Sequence, residues 1–541
     1  MVAHTAAGRH LVHSHAKEGD IPGTVDLRIA EGDDSAYGQA LYPVPAEDPN
    51  DPLQWSNTRK TLILIVCSLY SFLANSALLG PSVYIGLFIV EFEVTPTAAS
   101  DLVSYANLAF GFETRSRTRL IHLYQYAAGL IAASQATSYN GLMAARIIHS
   151  FGSSVCEALP VQLVNDIFFL HERGKRLGYY TVCLCFGSTG PLFAGFMLQG
   201  GYSWRLFFYV EFAFAAALLI FAFFVVEETA YKRKTPTDSA SVSDAAPTYT
   251  GSEEGEPDKT RTTEKTTENV TETAPSTSSI PPRKTFVQTL KFWGVWEKDS
   301  DFFLMIARSF TYFFVPHVFW VITTYGIYIG LGALAFNFIF PLKVTAPPYN
   351  WSANDSGLIA IASFVGYLLA IPFAPSSDRL AARLTRKNNG IREAEMRLGV
   401  MLPVMLLAPT GLIVFGFAAE RNLHWIAYFF GVALTNFSSY FYFTFTLAYA
   451  IDSYTSNISE MLIAMNLGKQ AISFGMGIKL LDWVLEHGYA VMIAGVFGGI
   501  LLANNLALLI FMLKGKQIRG FMAKTWLARV HRESVREVAT H

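Results

Sequence analysis

Leu62-Ile-Leu-Ile-Val-Cys-Ser-Leu-Tyr-Ser-Phe-Leu-Ala-Asn-Ser-Ala-Leu-Leu-Gly-Pro81 is a run of 20 residues without a charge. As a helix it rises about 30 Å, the thickness of a bilayer's hydrocarbon core. Stretches of the same kind recur at Leu142 to Val164, Trp204 to Val226, Leu398 to Phe417, Trp425 to Ile451 and Val491 to Leu513, among about eleven or twelve between Thr61 and Leu513. Lipid leaves backbone polar groups no water to bond, so only helices or closed barrels cross it. Continuous apolar runs lack the alternation of a barrel strand. The fold class is therefore an all-α, multi-pass membrane protein.

Composition agrees. The chain has 541 residues, 52% of them hydrophobic and only 15% charged, which does not suit a soluble domain of this size. A net charge of −1 gives no sign of a nucleic-acid partner. Cys67, Cys156, Cys183 and Cys185 all lie inside apolar runs, where they read as small hydrophobes and not as a disulfide framework or a metal site. The first 55 residues carry no charged-apolar-small pattern, so no cleavable signal peptide is expected.

Basic residues retained in loops mark the cytoplasmic side. Arg115, Arg117 and Arg119, then Arg173, Lys175 and Arg176, then Arg383, Arg386, Lys387, Arg392 and Arg397 fall in alternate loops; the interleaved ones hold none, or Lys343 or Arg421 alone. Both termini are thus expected in the cytosol, in a plasma-membrane protein or alternatively a vacuolar one. The loop from Lys343 to Asp355 falls outside, making Asn350 and Asn354 candidate glycosylation sites. Residues 232–284, crowded with Thr, Ser, Glu and Pro, read as a disordered cytosolic linker. The expected organisation is a disordered tail 1–58, a transmembrane half 59–231, that linker, a second half 285–515 and a cytosolic tail 516–541. Six spans, a linker and six spans is a layout of transporters built from two halves.

The second span breaks this pattern. Leu102 to Phe112 gives only about 11 apolar residues before Glu113, too few to cross unaided. Either the segment is a complete but unusual helix that crosses with help, or residues are missing here through a mis-spliced gene model or a real deletion, and the second is the favoured reading.

Four stretches, Asp48-Pro-Asn-Asp-Pro-Leu-Gln-Trp55, Gly80-Pro-Ser-Val-Tyr-Ile85, Glu157-Ala-Leu-Pro160 and Tyr325-Gly-Ile-Tyr-Ile-Gly330, carry a family likeness. Through them, and over nearly the whole chain from Asp48 onward, the sequence resembles the major facilitator superfamily, in particular its fungal twelve-span drug:proton antiporter group. The resemblance implies a twelve-span (6+6) fold with the second span truncated. Gly187-Ser-Thr-Gly190-Pro191, followed by Gly195, looks like the family's antiporter motif. Small residues let helices approach and proline breaks the backbone ladder, so Gly187, Gly190, Pro191 and Gly195 are candidate hinge positions. Arg146 matches the family's intramembrane arginine, which the resemblance associates with proton coupling, although Ser150 stands where glycine is usual. Glu157 lies 11 residues on, about 16 Å along the helix. It is the better proton carrier, because arginine does not deprotonate. Both are expected to face a water-filled centre. The family's Gly-x-x-x-Asp-Arg-x-Gly-Arg-Arg loop is absent, with Gly111-Phe-Glu-Thr-Arg-Ser-Arg-Thr-Arg119 in its place. Asp378 and Arg379 form a partial counterpart in the second half and are candidate gate-latch residues.

Polar and aromatic positions at helical spacing suggest a substrate cavity: Tyr442, Thr446 and Tyr449 at i, i+4, i+7, with Asn436 and Tyr440 on a neighbouring face. Asn466, Lys469 and Gln470 join them from the eleventh span, and Tyr325 and Tyr328 from the seventh. Such a lining suits bulky amphipathic solutes.

The expected function is secondary active transport by alternating access, with proton-coupled efflux of an amphipathic organic compound. Uptake by proton symport, or a degenerate non-transporting homologue, are the alternatives. The expected partners are a small organic substrate, protons and the bilayer, with no nucleic acid, and the chain is expected to be a monomer. No catalytic constellation, metal site, cofactor or nucleotide-binding loop is read from the sequence.

Overall fold

In the computed structural model the described residues are 23–26, 48–112, 119–227, 302–330, 335–454 and 458–531. Among the described residues, six long helical runs precede residues 228–301, which hold the expected linker and lie outside that set, and six follow, with the short helix Ala335–Val344 between the first and second of these. The first six are α1 Asn57–Glu91, α2 Pro96–Phe110, α3 Arg119–Ser134, α4 Tyr139–Val164, α5 Glu172–Gln199 and α6 Arg205–Val225. The second six are α7 Ile306–Phe314 with Pro316–Gly330, α8 Asp355–Lys387, α9 Ala394–Arg421, α10 Ile426–Ser453, α11 Ile458–His487 and α12 Ala490–Met522.

Among the described residues, seven of these runs are long and apolar enough to cross a membrane, or eight if the broken α7 counts as one. The protein is an integral, multi-pass membrane protein. α10 and α11 are long enough but more polar, and their Thr, Ser, Asn and Gln side chains lie almost wholly inside the bundle. α1 is likewise central, with 72% of its apolar window buried against 28% for α6. α6 turns Phe214, Ile220 and Phe224 outward and α12 turns out Ile510 and Leu513, apolar surface that lipid would cover.

Local chemistry explains the breaks. Pro316 cannot donate a backbone bond, and α7 bends there by 93°. Pro191 leaves the Gly187 carbonyl without its helical donor, and α5 tightens into a 3-10 turn over Gly187–Thr189. α4 is interrupted at Ser154, between helices Tyr139–Ser153 and Val155–Ile167.

The truncated second span is visible as geometry. α2 has 15 residues, about 22 Å of helix. It runs antiparallel to α11: Thr97 Oγ1 donates to Asp482 at 3.3 Å, Asn107 Nδ2 donates to Ser473 Oγ at 3.1 Å, and Gly111 packs on Asn466 and Gln470. α2 therefore ends level with Asn466 and leaves the first eight residues of α11, about 12 Å, beyond its reach. Glu113–Thr118, in the departed family loop, lie outside the described residues.

One feature was not anticipated. Within the tail expected to be disordered, β1 Thr24–Asp26 pairs antiparallel with β2 Ile391–Glu393 between α8 and α9. Thr24 Oγ1 donates to Glu393 Oε2 at 2.6 Å, and Ala394 N donates to Gly23 O at 3.1 Å. Three residues are too few to show a strand's alternation, so only the pairing partner reveals this element.

Candidate functional site

Between the two halves lies a cavity lined by residues of both. Its aromatic walls are Phe110, Tyr325, Tyr328, Tyr367 and Phe443, and its polar groups include Asn75, Asn107, Glu157, Asn436 and Gln470. The packing fixes several of these. Tyr367 Oη donates to Asn436 Oδ1 and Asn436 Nδ2 donates to Ser363 Oγ, both at 2.9 Å, so this amide is held from two sides. Asn75 Nδ2 donates to Leu184 O at 2.9 Å, and Tyr325 Oη donates to Phe443 O.

At the cavity the Lys469 ammonium on α11 pairs with the Glu157 carboxylate on α4 and lies 5.3 Å from the centre of the Tyr325 ring. A lysine and a glutamate separated by 312 residues thus join the two halves inside an aromatic cavity. Each neutralises the other, which is what burial of either demands.

Contacts between the halves bracket this pair. At the end of the bundle carrying β1 and β2, Asp378 on α8 sits against Gly174 on α5, where a Cβ would stand 2.1 Å from its Oδ2. The cation facing Asp378 is Arg397, at 2.5 Å, which also bonds Asp452; Arg379 is exposed and takes no part among the described residues. In place of the expected Asp378–Arg379 pairing, Asp378 belongs to an Asp378–Arg397–Asp452 triad. Arg392 approaches Asp452 at 3.8 Å; burial first, then the adjacent Arg397, lowers its affinity for its proton. Arg519 continues the network to Glu393 at 3.0 Å and Glu395 at 2.5 Å. At the opposite end Thr97 meets Asp482, and Gly357 packs on the Pro191 carbonyl.

The hinge candidates pack on α1. A Cβ at Gly190 would stand 2.4 Å from the Ser76 carbonyl oxygen, and one at Gly187 2.6 Å from Phe72 O. Pro191 and Gly195 are buried in the same segment.

Arg146 does not face the cavity, contrary to the sequence expectation. Its guanidinium is fully buried and donates to Leu102 O and Leu78 O at 2.8 Å and to Ala77 O at 3.3 Å. It clips α1, α2 and α4 together. The interruption at Ser154 separates its helix from that of Glu157, so uniform helical spacing does not describe their relation.

Of the expected cavity residues, Tyr325, Tyr328 and Asn436 line the space, and Lys469 reaches Glu157 there. Tyr442, Thr446 and Tyr449 do not line it: Tyr442 packs beside Tyr328, Thr446 Oγ1 donates to Tyr442 O at 2.5 Å, and Tyr449 lies among His317, Trp320 and Phe511. Asn466 is buried on α11 beside Gly111. Asn350 is exposed in its loop; the side chain of Asn354 is outside the described residues.

Sequence reasoning missed Glu211. It is buried within α6 and its Oε1 accepts from Ser76 Oγ at 2.6 Å. The signal was present: an acid inside one of the most apolar spans.

The family model for the Major Facilitator Superfamily matches residues 112–478. "Protein HOL1" of Saccharomyces cerevisiae is 25% identical over 516 residues, covering 84% of this chain and 86% of the relative. "Probable drug/proton antiporter YHK8" of the same yeast is 24% identical over 315 residues, covering 58% and 54%. Among solved structures, the proton:xylose symporter XylE bound to 6-bromo-6-deoxy-D-glucose superposes with a TM-score of 0.55 at 12% identity, covering 85% of this chain and 97% of that one.

Proposed function

Because the chain belongs to the Major Facilitator Superfamily, we propose that it is a proton-coupled exporter of amphipathic organic compounds, working by alternating access to the central cavity. The observation carrying this reading is the Glu157–Lys469 pair against Tyr325, a titratable carboxylate joining the halves at the point where substrate would sit. A proton on Glu157 removes the attraction to Lys469 and loosens the halves. A deprotonated Glu157 restores it. Gly187, Gly190, Pro191 and Gly195 supply the hinge, and the Asp378–Arg397–Asp452 triad latches one end. Arg146 supports the coupling indirectly, by fixing α4 to α1 and α2.

Aromatic faces combined with amides favour large solutes with an apolar body and a polar head. The end bearing the triad is the cytosolic one in this reading, with both termini there, in the plasma membrane of a monomer. Asn350 and Asn354 then lie outside, where glycosylation is chemically available. A name such as drug/proton antiporter on a related chain agrees with this direction.

The short α2 favours a second reading, a homologue that folds but does not transport. Purified protein in proteoliposomes separates the two, with rhodamine 6G as probe and an imposed pH gradient. Proton-driven movement that collapses with the gradient, and is lost in Glu157→Gln while exchange at equal pH persists, supports the exporter. Well-folded protein that moves a panel of amphipathic dyes no faster than empty vesicles supports the degenerate reading. Driven flux unchanged in Glu157→Gln refutes the role given to that carboxylate.

A further inference from the structure

Glu211 stands apart from the cavity, behind α1. Its carboxyl is buried and takes a 2.6 Å bond at Oε1 from Ser76 Oγ, while Oε2 is buried without a hydrogen-bond partner. No lysine, arginine or histidine comes within ion-pair distance of it among the described residues. α1, α3 and the Gly190–Gln199 segment of α5 pack against α6. Their titratable groups near this depth are Cys67 and Tyr70 on α1 and His122 and Tyr126 on α3; the α5 segment carries none. The Tyr126 hydroxyl approaches the Glu211 carboxyl, but it gives its hydrogen to Leu73 O at 3.0 Å, and Tyr70 gives its own to Gly152 O at 2.7 Å. On α6 itself the nearest charge is Arg205, six residues away, and it is engaged by Glu91 and Ala136 O.

An ionised carboxylate with one bond and no counter-charge is unstable in such a place, whereas a carboxylic acid is not. The bond that Glu211 does make goes to the residue on which the α5 hinge rests, since Gly190 is in backbone contact with Ser76. Parting α1 from α5 must move Ser76, and Asn75 beside it already lines the cavity. We infer that Glu211 is a second proton-binding site, neutral while α1 and α5 are closed on one another at Gly190 and ionised when that contact opens. The proton comes from water and returns to water; Glu211 holds it only in the closed packing. This rests on the proton-coupled reading for its role in transport, though not for its protonation.

Infrared difference spectroscopy of the full chain tests it, because a carboxylic acid and a carboxylate absorb at different C=O frequencies. At pH 7, wild type minus Glu211→Gln is expected to show one acid band. A difference spectrum without it overturns the proposal. In proteoliposomes the ratio of pH-driven to equal-pH rhodamine 6G flux should fall at least tenfold in Glu211→Gln and recover in part in Glu211→Asp. An unchanged ratio removes the coupling role. A wild type without driven flux overturns the proton-coupled reading and that role with it, while the acid band still decides whether the proton is bound. Should Glu211→Gln fail to fold, Ser76→Ala reads the same group: loss of its hydrogen bond should move the acid band to higher frequency, and an unmoved band overturns the site.

Discussion

Breaking the Glu157–Lys469 pair from either side should destabilise the protein with opposite dependence on pH. Lys469→Met strands a carboxylate whose side chain is 12% exposed, and Glu157→Gln strands an ammonium whose side chain is 5% exposed. A stranded carboxyl escapes by taking up a proton, which at pH 7 costs about 3.7 kcal/mol for a group that begins as a free glutamate. A stranded ammonium escapes by losing one, for about 4.6 kcal/mol. Both are upper bounds, since the remaining water contact of each group lowers them. They fall in the range of about 3 to 5 kcal/mol seen when one member of a buried pair is removed. The penalty of Lys469→Met should shrink by up to about 1.4 kcal/mol per unit as pH falls, and that of Glu157→Gln by the same amount as pH rises. The double variant leaves no charge behind and should lie within about 1 kcal/mol of wild type. Unfolding by SDS in mixed micelles at pH 6, 7 and 8 measures all four corners of the cycle. Penalties that add in the double variant, or that ignore pH, would refute the pairing as the reason for both charges.

Arg146→Met removes donors to three carbonyls on α1 and α2 and should cost about 3 kcal/mol or more in the same assay, because the stranded acceptors stay buried; a loss under about 1 kcal/mol would contradict the clip. Gly190→Ala places a methyl 2.4 Å from the Ser76 carbonyl oxygen and should cost about 1 to 3 kcal/mol, with slowed flux of the dye probe. Normal stability and flux would mean that α1 and α5 are not held in this contact. Asp378→Asn and Asp452→Asn each leave Arg397 one acid, so the double variant should cost more than the two single losses summed, by about 1 kcal/mol or more, measured as a double-mutant cycle. Strict additivity would dissolve the triad.

Most of the architecture was legible because lipid imposes one rule on every span, and an uncharged run such as Leu62 to Pro81 has few other uses. The short second span was legible for the same reason, and α2 ends level with Asn466 as its composition required. Inside the bundle the signal weakens. Helical spacing groups Tyr442, Thr446 and Tyr449 on one face but does not say which neighbour that face meets, and here it meets packing within the second half. Charges in spans announced Glu157 and Lys469 separately, yet a pairing over 312 residues has no local trace. Arg146 was expected to seek water, whereas backbone carbonyls on two helices satisfy it instead. Glu211 was passed over because α6 reads as one apolar run, although a single acid in such a run is the exception that matters.

The β1–β2 pairing has a consequence for the order of biosynthesis. Thr24 leaves the ribosome 369 residues before its partner Glu393. At roughly 5 to 20 residues per second the interval is on the order of 20 to 75 s. Throughout it the amino-terminal segment has no strand to join and is open to chaperones, proteases or modifying enzymes, and it can close on Arg519 only after α12 has been made. Docking of β1 is thus a late event that reports a completed second half, and a bulky fusion at the amino terminus would burden the last step of assembly, not the first.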